Sequence, residues 1–553
     1  MRFIGGKLIV FFFIIILVIT PLLPLGQACK DIIATQEATG QDYSLLLKVR
    51  DPSREGLQIL FRLPAGTTYT YHYPWTGKPW QFTVSHTFLG VATQGDTFPN
   101  IVKAGMTLSD AGIAYGDADT GSNWKNPTKN AWDDFDWIRY TCQQASTENE
   151  AILLLTADAV DHLHASADSE NLFVVGPNKA AIIEADAFHY TVNTIDDVCV
   201  MSNYPKTLWN TQVGKKRTVA YSFDTMKDTW TSKGRTVRLG SLCGVQIISI
   251  TPEILTVRPV PYFIFKNTMN VTGDIQIPVG HQRLVGPYSV RFIETNEGKA
   301  HVSVVYLFKA WEDKMKEFIT PTIGQITVEI MMNWSRLHGE DLDGLRPMCE
   351  DRFPYEAAMI FKIPTNHYDT LSGGWFSANH ACSSIYVPIH ICDTDCHEPY
   401  KNGLAAKLSL DLLHQYGHGN LTEPFHHVEK VLLFENNVAE DIAEAMLEQH
   451  LDITDFITSV DQGMQQQAYL TEQLWLNLSL LQKNNEYQEM KNILGTLWET
   501  NYSVSYQHME QTMKLVSFSQ ETYQIQTILL QIMESIQTTQ HTINQGYTNY
   551  KYQ

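Results

Sequence analysis

The residue with the clearest chemical potential is Cys29, which follows the short stretch Gly26-Gln27-Ala28. Small residues such as Gly26 and Ala28 are typical of the positions just before a signal-peptide cleavage site. Cleavage after Ala28 would leave a thiol and a free α-amine together on Cys29. A free cysteine has a pKa of about 8.5 and an α-amine has one of about 7.7–8, so the amine can accept the thiol proton near neutral pH. The sequence therefore predicts a nucleophile with its own base at Cys29.

The segment before Cys29 has the layout of an export signal. Arg2 and Lys7 are followed by an almost purely apolar run over residues 8–20. That run is shorter than the about 20 apolar residues that a membrane-spanning helix needs. We interpret residues 1–28 as a signal peptide and expect a secreted or extracytoplasmic protein. An uncleaved N-terminal membrane anchor and a lipid-modified Cys29 remain as alternatives.

The composition narrows the classes of partner and fold. The chain has 553 residues, a formal net charge of −20 and 44% hydrophobic residues. A strongly acidic chain is a poor partner for nucleic acid, so we expect none. The 8 cysteines are too few for a disulfide-rich scaffold in a chain of this length. The hydrophobic content is enough for a sizeable core, so we expect a globular protein.

The elements around Cys29 are predicted to be strands. Apolar runs at residues 31–34 and 43–49, separated by Gly40, indicate a hairpin, and residues 57–63 indicate a third strand. Cys29 would then stand at the start of a strand. Further elements are predicted as two helices within 132–165, strands at 171–175, 180–184 and 198–201, a helix at 327–338, and strands at 357–363 and 383–391. Strands, then helices, then strands again predict a layered α+β fold.

Four segments, in a fixed order, carry a resemblance to a known family. They are Cys29 with Leu45-Leu46-Leu47-Lys48-Val49-Arg50-Asp51, Gly105-Met106 through Ala111-Gly112-Ile113-Ala114, Asp136-Trp137-Ile138-Arg139-Tyr140 through Ala151, and Glu170-Asn171-Leu172-Phe173 through Met201-Ser202-Asn203. In these the chain resembles the dipeptidase A and secernin group of N-terminal-nucleophile cysteine hydrolases. More distantly it resembles the penicillin (isopenicillin N) acyltransferases and the choloylglycine hydrolases.

The resemblance implies a fold and a reaction. The family fold is a four-layer αββα sandwich, and its reaction is amide hydrolysis through an acyl-enzyme on the N-terminal cysteine. We therefore expect an N-terminal-nucleophile hydrolase domain over residues 29–424, with a β-rich insertion at about 240–320. Residues 425–553 lie outside the resemblance, and their helical spacing predicts a helical C-terminal region.

The resemblance also implies site residues. Asn203 matches the asparagine whose side chain donates to the oxyanion, and Arg50 and Asp51 fall where the family places an Arg/Asn and Asp pair beside the nucleophile. The aspartate would hold the α-ammonium, and the arginine would orient the thiol. Asp117 and Asp119 follow a strand after which homologues carry polar site residues. The family pattern Arg-Asn-x-Asp has become Lys48-Val49-Arg50-Asp51 here, a departure from it.

Three interpretations of the function remain open. The first is a cysteine dipeptidase acting on small peptides. The second is an N-acyl amide hydrolase or an acyltransferase of the penicillin acyltransferase type. The third is a non-catalytic, membrane-anchored binding protein. The oligomeric state is open in all three.

One cysteine and histidine run invites a metal interpretation. His390-x-Cys392-x3-Cys396-His397, with His380 and Cys382 upstream, fits the spacing of zinc ligands loosely. A disulfide between Cys392 and Cys396 in an exported protein explains the pair as well. We expect neither a metal nor a cofactor.

Overall fold

The computed structural model of the chain describes residues 29–50, 56–100, 102–211, 225–240, 243–262, 273–349, 355–480 and 520–552. The described chain mixes helices and sheets, as the predicted α+β class requires. The predicted signal segment, residues 1–28, and the predicted site residue Asp51 lie outside the described residues. Within these ranges, no helix combines the length and the apolar character needed to cross a membrane.

The first sheet begins directly after Cys29. Its order is β12-β1-β2-β21-β22-β23. Its strands are β1 (Lys30–Ala34), β2 (Tyr43–Arg50), β12 (Val198–Met201), β21 (Ala357–Pro364), β22 (Gly373–Ser377) and β23 (Val387–His390). All neighbours are antiparallel, and the predicted hairpin of β1 and β2 pairs Asp31 with Lys48. The sheet therefore places the lysine of β2 beside the chain segment that begins at Cys29.

The second sheet has seven strands in the order β11-β10-β9-β8-β7-β6-β3. They are β3 (Gln58–Leu63), β6 (Phe88–Thr93), β7 (Ala104–Ser109), β8 (Ile113–Thr120), β9 (Ser169–Val175), β10 (Ala180–Ala185) and β11 (Tyr190–Ile195). The strand predicted after the β1–β2 hairpin, β3, belongs to this sheet and pairs with β6. A separate hairpin of β4 (Thr68–His72) and β5 (Pro79–Thr83) follows β3.

The two sheets pack against each other through β1, β2 and β21 on one side and β8 and β9 on the other. Gly116 of β8 shows how close this contact is. A Cβ at Gly116 would lie 3.5 Å from Cδ of Lys48 and 3.7 Å from Cδ2 of Leu46. The even-numbered residues of β2 therefore face the second sheet, since successive side chains of a strand alternate between its faces.

The described residues include twelve α-helices. In chain order they are α1 (Gln36–Thr39), α2 (Asp134–Cys142), α3 (Glu148–Leu153) continued by a π-helix (Leu154–His162), α4 (Thr207–Asn210), α5 (Leu307–Ile319), α6 (Val328–Ser335), α7 (Tyr368–Leu371), α8 (Glu398–Lys401), α9 (Leu404–Tyr416), α10 (Thr422–Glu448), α11 (Thr454–Leu480) and α12 (Gln520–Tyr552). Two short 3₁₀ turns occur at Thr320–Thr322 and Ala381–Ser383. Helix α3 begins with a side-chain cap, since the Thr147 side chain accepts from the Glu150 N–H.

Some of these helices contact the two large sheets. Helix α2 packs on β7 and β8, and the fully buried Trp137 of α2 belongs to a core shared with the second sheet. On the first sheet, α6 contacts β2 and β21, while α10 and α11 contact β23. The C-terminal helices α11 and α12 also pack along each other.

Two four-stranded sheets form a separate β-rich part. One has the order β13-β20-β19-β18, the other β14-β15-β16-β17. Their strands are β13 (Met226–Ser232), β14 (Thr236–Arg238), β15 (Gly244–Ile250), β16 (Ile254–Val260), β17 (Ile275–Pro278), β18 (Gln282–Val285), β19 (Tyr288–Asn296) and β20 (Lys299–Tyr306). Val245, Val257, Phe292 and Val302 belong to a core of its own. Strands begin at 226, earlier than the predicted insertion, and helix α5 begins at 307.

One predicted strand is wrong in its bounds. Residues 383–391 were expected to be extended throughout, whereas a 3₁₀ turn ends at Ser383 and β23 covers only Val387–His390. The reason is local. The side chains of Ser383 and Ser384 bond within this turn and to helix α11, so the backbone there follows those contacts.

Candidate active site

Cys29 lies immediately before β1, and its side chain is buried, with 6% of its surface exposed. The positive charge with the largest effect on it is that of Lys48, which β2 presents from the adjacent strand. The Lys48 ammonium makes a hydrogen-bonding contact with the Cys29 thiol. Both side chains face the second sheet, so the thiol lies between the two sheets.

The second sheet brings carboxylates to the same place. The Lys48 ammonium lies 3.4 Å from Oδ1 of Asp117 on β8 and 3.5 Å from Oδ1 of Asp31 on β1. It also donates to the backbone carbonyl of Asp117. The side chains of Lys48 and Asp31 are completely buried. A buried ion pair needs such contacts on every side to offset its desolvation.

More carboxyl groups surround this ion pair than one lysine can balance. Carboxyl oxygens of Asp117, Asp119 and Glu170 lie within 4.8 Å of one another. The Asp134 carboxyl, at the start of helix α2, is hydrogen-bonded to that of Asp117. Like charges this close cannot all be ionised, so part of the cluster must carry protons.

The pKa values of the cluster follow from that crowding. Burial raises the pKa of Glu170 and of Asp134 well above the usual range, and neighbouring carboxylates add to the effect. Burial and the charge of Asp117 raise the pKa of Asp119 to about 6. For Lys48, burial lowers the pKa, but the negative charges of Asp117 and Asp31 outweigh it and hold the pKa well above its ordinary value. Lys48 is therefore charged.

The same surroundings act on the thiol in opposite directions. Burial raises the pKa of Cys29, the ammonium of Lys48 lowers it, and the charges of Asp117 and Asp31 raise it again. The net shift is upward, so in this arrangement Cys29 is a thiol at neutral pH. A thiolate here requires a base placed directly beside the sulfur or additional positive charge.

Asn203 lies next to this cluster. Antiparallel pairing of β1 with β12 sets Asp31 opposite Met201. Cys29 comes two residues before Asp31 and Asn203 comes two residues after Met201, so both lie at the same end of this strand pair. The Asn203 amide donates to the backbone carbonyl of Asp119 at 3.0 Å, and its own side-chain oxygen accepts no hydrogen bond from the described residues. An amide nitrogen has two N–H donors, so one remains for another acceptor.

Arg50 is placed differently from Asn203. It ends β2, two residues beyond Lys48, and is buried. Its guanidinium donates to Oε1 of Gln58 at 3.0 Å and lies 4.6 Å from the centre of the Phe135 ring. The largest charge effects on the Cys29 thiol come from Lys48 and the aspartates, not from Arg50. The roles of Arg50 and Asp51 stay predictions.

Sequence reasoning missed Lys48 as the partner of the thiol, and Asp31, Asp134 and Glu170 as members of the cluster. A signal was available for Lys48. It stands in the middle of a strand whose other residues are mostly apolar, and lysine is almost never fully buried unless it is paired. No comparable local pattern marks Asp134 and Glu170.

The cysteine and histidine run that suggested a metal site lies apart from this cluster, and two of its features can be checked. In the run predicted around His390, that histidine itself belongs to an ion-pair network, with Nδ1 of His390 2.8 Å from Oδ2 of Asp461 and Nε2 3.2 Å from Oε1 of Glu440. Cys392 and Cys396 are both free thiols, so the alternative of a disulfide between them is wrong.

Comparisons with known proteins gave matches among solved structures alone. No protein-family model matches the chain, and no curated protein sequence matches it. Among solved structures, it is similar to a cysteine-to-alanine mutant of conjugated bile acid hydrolase from Clostridium perfringens, with 12% identity, a TM-score of 0.25, and coverage of 39% of this chain and 64% of that one. An arginine-to-leucine variant of the same hydrolase is similar at 11% identity and a TM-score of 0.25, with coverage of 39% of this chain and 64% of that one.

Penicillin V acylase from Agrobacterium tumefaciens is similar at 11% identity and a TM-score of 0.23, with coverage of 30% of this chain and 49% of that one. The chain thus spans less than two thirds of the length of these relatives. Similarity at this level assigns no family, so the function is argued from the site itself.

Proposed function

We propose that this protein is an exported cysteine hydrolase of the N-terminal-nucleophile type, which cleaves amide bonds through an acyl-enzyme on Cys29. The observation that carries the proposal is the buried thiol of Cys29 in contact with the Lys48 ammonium, inside a cluster of carboxyl groups. The two facing sheets, with helices on both outer faces, support the four-layer αββα arrangement of that class.

Removal of residues 1–28 would free the α-amine of Cys29. The thiol proton then passes to that amine, and the sulfur attacks the amide carbonyl carbon to form a C–S bond. The carbonyl electrons move to the oxygen, and the tetrahedral intermediate collapses by breaking the C–N bond. The departing amine takes the proton back from the α-ammonium, and water then hydrolyses the thioester.

The surroundings of Cys29 suit these steps. The surplus carboxylates around Asp117 and Asp119 stabilise the α-ammonium that forms when the thiol loses its proton. Lys48 stabilises the thiolate. The remaining N–H of Asn203 is available to the oxyanion, and loss of one such donor typically costs about 10²–10³ in kcat.

We propose dipeptides as the substrate class. A dipeptide carries its own α-ammonium, and the cluster holds more carboxyl groups than Lys48 can neutralise. An N-acylated substrate lacks that positive charge. Hydrolysis of dipeptides but not of their N-acetyl derivatives would support this choice. The reverse preference would refute the dipeptide proposal and favour an N-acyl amide hydrolase.

The decisive experiment compares Cys29→Ser with Cys142→Ser in the secreted full chain. Cys142 is also buried and free but lies in helix α2, in a different core. We expect Cys29→Ser to lose more than about 10³-fold in kcat, since a serine hydroxyl is a much weaker nucleophile than a thiolate at a site built for sulfur, and Cys142→Ser to keep its activity. Asn203→Ala should lower kcat with little change in KM. Mass spectrometry should find Cys29 at the N-terminus. Full activity with residues 1–28 still attached would refute the mechanism.

A further inference from the structure

A second cluster of cysteine and histidine side chains lies away from Cys29. It consists of His338, Cys349, Cys382 and His418. One potential ligand atom from each of the four residues lies within 4.8 Å of those of the other three. Cys349 and Cys382 are buried free thiols, whereas the two histidines keep part of their surface exposed. Two thiols and two imidazoles form the donor set of many structural zinc sites.

The distances agree with tetrahedral coordination. Zinc lies about 2.3 Å from thiolate sulfur and about 2.0–2.1 Å from imidazole nitrogen, which puts two sulfurs about 3.8 Å apart and a sulfur and a nitrogen about 3.6 Å apart. The sulfurs of Cys349 and Cys382 are 3.4 Å apart. The Cys382 sulfur is 3.6 Å from Nδ1 of His418. These two distances are close to the values that one ion requires, and all four donor atoms lie within 4.8 Å of one another.

We propose that His338, Cys349, Cys382 and His418 bind one zinc ion. Two thiolates balance the charge of Zn²⁺, so the site is neutral overall and suits a buried position. Neither chain-local spacing nor a known finger pattern predicts it, because the four ligands come from separate segments of the fold.

A second layer of polar residues supports this donor set. Nδ1 of His380 lies 3.6 Å from the Cys349 sulfur and 2.9 Å from Oε2 of Glu356. The rings of His380 and His418 are in edge-to-face contact, with centres 5.4 Å apart. Because His380 and Glu356 already bind each other, we assign them to the outer layer. Partners of this kind orient metal ligands and tune their basicity.

The location of the four ligands indicates that a bound ion would stabilise the fold. His338 follows helix α6, Cys382 lies in the 3₁₀ turn between β22 and β23, and His418 follows helix α9. A metal bound there joins the ends of two helices to the edge of the first sheet. Because the ligands are brought together only in the folded chain, binding free energy adds directly to folding stability.

The first test measures zinc in the full chain, purified with reduced thiols and without chelators. We expect about one zinc per chain by elemental analysis. Cys382→Ser and His418→Ala should each lose most of it, and Cys142→Ser should keep it as the matched control. Less than about 0.1 zinc per chain after incubation with zinc would overturn the proposal, as would full retention of zinc in both ligand variants.

The second test uses the unmodified protein, so it does not depend on whether a variant folds. Zinc-edge X-ray absorption should show two sulfur neighbours at about 2.3 Å and two nitrogen neighbours at about 2.0–2.1 Å. A shell of oxygen and nitrogen alone would refute this donor set. A Cys349–Cys382 disulfide, found by mass spectrometry of the folded protein, would also overturn it.

Discussion

The ion pair of Lys48 gives the sharpest test of how this site is built. Lys48→Met keeps most of the buried aliphatic stem and removes the ammonium. Asp31 and Asp117, at 3.5 Å and 3.4 Å, then lose their common cation in a place where the side chains are at most 4% exposed. Removing one partner of a buried ion pair costs about 3–5 kcal/mol, because a charge is left without compensation. We expect a loss of that size in the free energy of unfolding near pH 8.

The loss should depend on pH with a definite sign. The folded-state pKa of Asp31 is raised by burial, and Lys48 works against that rise. Without Lys48 the pKa rises further. A raised carboxyl pKa leaves the folded state stable at low pH and costs stability as the pH rises through it. Each unit of pKa shift corresponds to about 1.4 kcal/mol. The destabilisation should therefore be smaller near pH 5 than near pH 8.

The assay is urea-induced unfolding, followed by tryptophan fluorescence at about pH 5 and about pH 8. Lys407→Met serves as the control, since the Lys407–Asp411 pair is exposed and its loss should cost less than about 0.5 kcal/mol. Adding Asp31→Asn to Lys48→Met should restore most of the stability. A Lys48→Met protein within about 1 kcal/mol of the parent at both pH values would refute the reasoning, as would a larger loss at the acidic one.

Three further changes test other parts of the structure. Burial raises the pKa of Asp119 from 3.8 to about 6, so the stability of the parent protein falls as the pH rises through that range. Asp119→Asn removes this loss. Relative to the parent, its unfolding free energy in urea titrations should therefore be up to about 3 kcal/mol higher at pH 7 than at pH 4. Arg336→Met should cost about 3–5 kcal/mol in thermal or urea unfolding, because it leaves the completely buried Glu429 without the guanidinium that donates to its Oε2 at 2.7 Å, and adding Glu429→Gln should recover part of the loss. Gly90→Ala would press a Cβ into the backbone oxygen of Met106 on the next strand. We expect it to lower the unfolding free energy by about 1–3 kcal/mol or more, measured by urea unfolding.

The strands of the first half were largely predictable because their signals are local. The strand at Val198–Met201 has the predicted bounds, and β1 and β2 differ from prediction by one residue at one end. The strands predicted at 171–175 and 180–184 are β9 and β10, which pair with each other across the turn at residues 176–179. Apolar runs bounded by glycine and proline carry this information within a few residues.

Which sheet a strand joins was not predictable in the same way. Strand β3 follows the β1–β2 hairpin along the chain, yet it pairs with β6 in the other sheet. Pairing of that kind depends on contacts between distant segments, and no local pattern encodes it. The same limit explains why the strand that was predicted to start at residue 383 starts only at Val387. Contacts with helix α11 set the backbone conformation before it.

The candidate site also has a part that was predictable from the sequence and a part that depends on packing. Cys29 and Asn203 were predicted from position and from the resemblance, and they lie at the same end of the β1–β12 strand pair. The contact of Lys48 with Asp117 exists because two sheets meet face to face. Its residues are far apart in sequence, so only the packing brings them together. The same holds for His338 and Cys382.

The charge balance around Cys29 would give the proposed cleavage of residues 1–28 a second consequence. With the peptide bond before Cys29 intact, Lys48 is the cation that stabilises the carboxylates of Asp31 and Asp117 and would also have to stabilise a thiolate at Cys29. Burial keeps the sulfur protonated in that state. A free α-amine at Cys29 would bring a base and, once protonated, a second positive charge into a cluster that has too few. It would also permit more of the carboxyl groups to ionise. On this argument one cleavage both creates the general base and favours the thiolate, so the uncleaved chain should fold with its nucleophile inactive.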